Sequence, residues 1–222
     1  MIRRTLILTI VSVALVATSL SPESSQETDC HATINKLEEH FTPLESPSIE
    51  ESRKYIVRYD ARWPEVKRIW GRGTDAVVRD IVTGRTFELR RTFGTNHADV
   101  EPLTKEDAGI MYDIWGGWCW SRRAVVVYVG DYVFAGSLTN LPHAGLDRYP
   151  ALARINNRSG GFGSGLNFDA VKGNGVDGHM CLHFAGSGLH ANGRADANHQ
   201  RKVQKAIAYI QNSSRYVGIK DQ

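Results

Sequence analysis

Cysteine is scarce in this chain: three residues, Cys30, Cys119 and Cys181, among 222. That number excludes a disulfide-dense scaffold, and its oddness leaves a free thiol or a bridge to another molecule. There is no stripe of Lys and Arg with interleaved aromatics, so nothing argues for nucleic acid. The formal charge is only +3, and without Arg3 and Arg4 it falls to about +1. No HExxH helix is present. The glycine-rich stretch 159–178 lacks both the Lys-Ser/Thr ending and the strand-to-helix step of a phosphate cradle. Glu27-Thr28-Asp29 before Cys30 is too polar for a lipid-attachment signature. At 41% hydrophobic and 23% charged, the chain is too apolar to be disordered.

What is present begins with an export signal. Arg3 and Arg4 form a basic start, residues 5–16 are almost uncharged and apolar, and Ala17-Thr18-Ser19 supplies small residues for cleavage near Ser19. The apolar run is short for a membrane span, so no stable span is expected after cleavage. The mature chain is expected outside the cytoplasmic membrane, secreted or periplasmic. Residues 1–19 are then the signal, 20–52 a polar leader and linker with Pro43 and Pro47, and 53–222 a single domain. Within it, 53–103 is either a small β-rich lobe or a layer of the same sheet.

The expected elements make this domain α+β, with a mostly-β core and a few peripheral helices. A short strand is read at 55–59. A hairpin turns at Thr83-Gly84 within 76–91, and a second joins 124–129 to 132–138 through Gly130-Asp131. Thr104 is an N-cap for a helix burying Ala108, Met111, Ile114 and Trp115, stopped by Gly116-Gly117. Asp196 caps a final helix with His199, Val203, Ala206, Ile207 and Ile210 on one face. Residues 159–178 read as a flap or long irregular loop, and 93–103 as a non-periodic polar segment.

The chemistry concentrates in residues 178–184, where apolar and reactive side chains alternate. On a strand, Met180, Leu182 and Phe184 share one face and His179, Cys181 and His183 the other. A free thiol has a pKa of about 8.5 and is little ionised at neutral pH, so a neighbouring imidazole that takes its proton turns it into a nucleophile. The plainer alternative is a structural Cys between two surface His. His143 follows Pro142 in the loop leaving the second hairpin, at a sheet end where sites collect. His97 and Asp99, two residues apart, form either a His–carboxylate pair or part of a turn in which Asn96 and Asp99 cap the backbone.

Pro142-His143-Ala144-Gly145, followed by Gly178-His179-Met180-Cys181-Leu182-His183, resembles the signature of the L,D-transpeptidases of bacterial cell walls. The likeness covers roughly residues 122–184, including the hairpin that precedes the upstream His. It implies a mostly-β catalytic sheet or sandwich, Cys181 as nucleophile, His143 as general base and His179 as the flanking His, with no cofactor. The departures are Met180 where Gly is usual, Gly178 where a small hydroxyl residue is usual, His183 in place of Arg, and a wider gap from His143 to Cys181. The implied substrate is the peptidoglycan stem peptide, opened through a thioester that an amine or water resolves. In a thiol mechanism, backbone amides near Gly178 to Cys181 would stabilise the oxyanion, and Arg122 and Arg123 would either hold a substrate carboxylate or stand as solvated charges at a strand end. If any disulfide forms, Cys30 with Cys119 leaves Cys181 free.

Two other readings stay open. A zinc peptidase would draw ligands from His97 and Asp99 with His179 or His183. It cannot use both of the last pair on a regular strand, where i and i+4 lie about 13 Å apart. A non-catalytic wall-binding module would rest on the five Trp and eight Tyr.

Overall fold

Residues 123–129 read Arg-Ala-Val-Val-Val-Tyr-Val, a β-branched run with no polar alternation. Such a run suits a strand buried on both faces. The computed structural model, which describes residues 55–213, shows why both faces are covered. Val125, Val127 and Val129 enter the main core, while Ala124 and Val126 pack under a helix with Ala206 and Ile210.

In chain order the elements are β1 (Ile56–Val57), α1 (Trp63–Ile69), β2 (Asp75–Asp80), β3 (Thr86–Phe93), β4 (Ala98–Pro102), α2 (Lys105–Trp115), β5 (Arg123–Val129), β6 (Tyr132–Leu138), β7 (Arg154–Arg158), β8 (Gly163–Leu166), β9 (Met180–His183) and α3 (Ala197–Asn212). Strands β6, β5, β2, β3, β4 and β9 are neighbours in that order, and β9 also pairs with β6, closing a six-stranded barrel. Every pairing around the ring is antiparallel. β1 adds to β6 in parallel, and β7 and β8 form a separate two-stranded sheet. The class is thus α+β and mostly β, with the sheet closed on itself rather than laid out as an open sheet or sandwich. Residues 75–102 supply three strands of the same barrel as β5, β6 and β9.

Local chemistry fixes the element ends. Thr104 and Asp107 form a reciprocal capping box at α2, and Gly116, at φ 69°, ends it in the left-handed region. Both hairpins turn where glycine supplies a positive φ, Gly84 at 69° and Gly130 at 53°. Asp196 caps α3 through the His199 amide, and His199, Val203, Ala206 and Ile210 form its buried face. β4 departs from the sequence reading. Ala98 and Val100 point into the barrel, whereas Asp99 and Glu101 are buried on the other side. Part of that cover is residues 167–178, since the amides of Ala170 and Val171 donate to the Glu101 carboxylate at 2.8–3.0 Å.

Arg123 is buried with Asp80, as a bidentate pair at 2.7 and 2.9 Å. It also lies 5.5 Å from the Trp115 ring. Removing one partner of such a pair strands a charge and costs about 3–5 kcal/mol. Asp80→Asn and Arg123→Met are each expected to lower the thermal midpoint sharply. The Asp80→Leu/Arg123→Met double variant should recover much of that loss in a calorimetric comparison.

The signal segment, the leader and Cys30 lie outside the described residues, and with Cys30 the expected pairing to Cys119. Cys119 and Cys181 are not disulfide-linked to one another. Among the described residues no helix is long and apolar enough to cross a membrane.

Candidate functional site

β9 sits between β4 and β6, and its alternation sorts side chains cleanly. Met180 and Leu182, with Phe184 just beyond the strand, enter the barrel core. Cys181 and His183 face the outer side, beneath loops that leave both nearly buried. Across the strand pair Cys181 sits opposite Asp99.

His143 reaches this strand through a backbone bridge. Its amide donates to the His179 carbonyl at 3.0 Å, and the His179 amide returns the bond at 3.1 Å. The crossing is tight. Gly178 has φ +95°, and a Cβ there would run into the His143 carbonyl oxygen. Gly178 therefore permits the close backbone approach at this crossing. Its own N–H donates to Asp169 at 2.6 Å. With the His179 amide also committed, neither is free for an oxyanion, contrary to the sequence expectation.

The crossing brings the His143 Nε2 to 3.6 Å from the Cys181 Sγ. His143 Nδ1 lies 2.9 Å from the Leu141 carbonyl, an acceptor only, so Nδ1 carries the proton and Nε2 presents its lone pair to the thiol. Burial holds the His143 pKa well below its usual value, with the nearby His179 acting in the same direction. The ring is packed by Trp120 at 4.8 Å and Phe162 at 4.9 Å. Cys181 is 7% exposed and lines a cavity of about 190 Å³ together with His143, Trp120, Phe162, Arg122 and Leu189.

Arg122 stands in that cavity wall and donates to Asp196 at 3.2 Å. Arg123 does not reach it. It is neither a substrate clamp nor a solvated strand-end charge, because it shares strand parity with Val125 and Val127 and turns inward to Asp80.

Beside the thiol lies a second group centred on Asp99. His190 Nε2 is 3.0 Å from its carboxylate, His97 Nε2 3.4 Å and His179 Nε2 3.7 Å. Burial pushes the Asp99 pKa up, but His179, His190 and His97 outweigh it and hold it at about 2. The hydrogen bond to Asp99 raises the His190 pKa against its partial burial. His97, by contrast, is lowered to about 4, mainly by burial. Thus His97 Nε2 lies 3.4 Å from the Asp99 carboxylate without a hydrogen bond to it, and Asp99 belongs to β4 rather than to a turn.

His183 pairs with neither centre. Its ring is stacked between His97 at 4.1 Å and His199 at 3.7 Å. His31 and His40 lie outside the described residues, and the other six histidines form one connected set. It runs from His199 through His183 and His97 to His190, then by Asp99 to His179 and His143. His190 was missed as a site residue in the sequence. It lies 91 positions from Asp99, and no local spacing links the two.

A scan against protein-family models and searches of curated proteins and of solved structures return no match to this chain.

Proposed function

We propose that the protein is a cysteine-dependent acyl-transfer enzyme acting outside the cytoplasmic membrane on peptidoglycan stem peptides. One observation carries the reading: a thiol at a cavity wall, within 3.6 Å of the bare nitrogen of a buried, oriented imidazole. A structural cysteine needs no such partner. The choice of stem peptides rests on the likeness of the residues around His143 and Cys181 to L,D-transpeptidases and on the export signal. No cofactor enters this reaction.

The steps follow from the geometry. His143 Nε2 takes the Cys181 proton as sulfur attacks the amide carbonyl. Collapse of the tetrahedral intermediate breaks the C–N bond, and the leaving amine takes that proton from His143. The resulting thioester is resolved by an acceptor amine, giving transfer, or by water, giving a carboxylic acid. In either case His143 accepts the incoming nucleophile's proton and returns one to sulfur. The low basicity of His143 favours the neutral thiol–imidazole pair at rest over a preformed ion pair, so the proton moves during attack.

The test is an acid-quenched incubation of the full chain with a stem tetrapeptide, followed by intact mass and peptide mapping. The expected result is an adduct of the acyl fragment on Cys181, released by hydroxylamine. Turnover that survives complete alkylation of Cys181 sinks the proposal.

A further inference from the structure

We propose that Asp99, His179 and His190 form a binding site for a divalent transition-metal ion of the zinc type, with His97 as a fourth donor. This site borders the thiol, since His179 and His190 each also lie in a donor group with Cys181, but the ligand set proposed here includes neither Cys181 nor His143.

The first observation is convergence. Asp99, His179 and His190 each offer one donor atom, and these atoms all lie within 4.8 Å of one another. His97 Nε2 approaches the same carboxylate at 3.4 Å.

The second observation concerns protons. His97 Nδ1 lies 2.8 Å from the Gly188 carbonyl and His179 Nδ1 3.1 Å from the Phe168 carbonyl. A carbonyl only accepts, so each Nδ1 carries the ring proton and each Nε2 is a bare lone pair. Both Nε2 atoms are buried and make no hydrogen bond. Two lone pairs and a carboxylate therefore face one another across 3.4 and 3.7 Å with no proton from either ring between them. Mutual repulsion disfavours that arrangement, and a bound cation reverses its sign. A ring nitrogen anchored on a backbone carbonyl, with the other aimed at a shared point, is also how outer contacts orient metal-bound imidazoles.

The donor chemistry selects the ion. Imidazole nitrogens with one carboxylate suit Zn²⁺ and its transition-metal neighbours, not Ca²⁺ or Mg²⁺, which take oxygen ligands. The entry path is His190, whose side chain is 49% exposed while Asp99 is sealed. His190 Nε2 now lies 3.0 Å from Asp99 as the hydrogen-bond donor, so ligation requires its proton to sit on Nδ1 instead.

The experiment is titration of the chelator-treated full chain with ZnCl₂ by calorimetry, and with Co²⁺ by absorption. One ion per chain is expected, with the thermal midpoint raised by Zn²⁺. Asp99→Asn and His190→Ala are expected to weaken Zn²⁺ affinity more than about 100-fold, since even outer-contact changes cost 10–100-fold. His190→Ala is the variant least able to disturb the fold, because its side chain is half exposed. Cys181→Ser should leave stoichiometry and affinity unchanged within a few-fold, and the Co²⁺ spectrum should lack a thiolate charge-transfer band. Absence of Zn²⁺ binding, binding that persists in both Asp99→Asn and His190→Ala, or binding lost in Cys181→Ser overturns the proposal. None of these readouts uses turnover, so failure here and failure of the acyl-transfer reading are distinguishable.

Discussion

Cys181→Ala is expected to abolish the acyl adduct and to lower kcat/KM on a stem-peptide substrate by at least about 10³-fold, the scale on which nucleophile and base act as a unit. His143→Ala should cost nearly as much, because it removes the imidazole that takes the Cys181 proton. The double variant should be little worse than either single one, the non-additivity that marks a shared step. The pH profile adds a separate readout. His143 must be unprotonated to act as a base, and burial lowers its pKa well below 6.5. The acid limb of kcat/KM is therefore expected well below pH 6.5. A limb at an ordinary histidine pKa would mean that a solvated imidazole does the work. Steady-state kinetics across a pH series, with both single variants and the double variant, checks each point.

The second large effect is loss of stability in acid. His143, His183 and His199 are buried and neutral, and each pKa is lowered chiefly by burial, that of His199 to about 3. In the unfolded chain each titrates near 6.5. Below that value the unfolded state binds protons that the native state does not, so stability is present above pH 6.5 and falls as pH drops. Each pH unit inside the window costs about 1.4 kcal/mol per histidine, so three together approach about 4 kcal/mol per unit. That is large against a total stability of about 5–15 kcal/mol. Asp99, held at about 2, acts in the same direction at lower pH. Glu101 opposes it. Burial raises its pKa to about 7, so its contribution is present at low pH and lost as pH rises from about 4.5 to 7. One carboxyl does not offset three imidazoles. Thermal melts from pH 7.5 to 4 should show the midpoint falling steeply below pH 6, and a flat midpoint between pH 7 and 5 would contradict this account.

Much of the site strand was legible because its period is local. Met180, Leu182 and Phe184 mark a core face in seven consecutive residues, and the barrel uses that face. The hairpins and the caps at Thr104 and Asp196 were legible for the same reason, since turn and cap chemistry acts within a few residues. β4 was not. Residues 93–103 read as a non-periodic polar segment, and groups that help bury Asp99 and Glu101, His190 and the amides of Ala170 and Val171, lie far away in sequence. α1 is seven residues long, too short to show a helical stripe. Arg123 carried a signal that could have placed it, since its parity matches the buried valines of its own strand. Barrel closure depends on β9 pairing with both β4 and β6, which no sequence window spans.

That closure has a bearing on when the protein becomes reactive. Until residues 180–183 dock, β6, β5, β2, β3 and β4 can form only an open meander with two unsatisfied margins. The Cys181–His143 contact joins positions 38 apart across the same seam. Under the proposed function, the thiol and its base are therefore brought together only when that strand docks. The rate at which Cys181, 7% exposed in the folded chain, becomes protected from an alkylating reagent during refolding is then a clock for the shutting of the barrel.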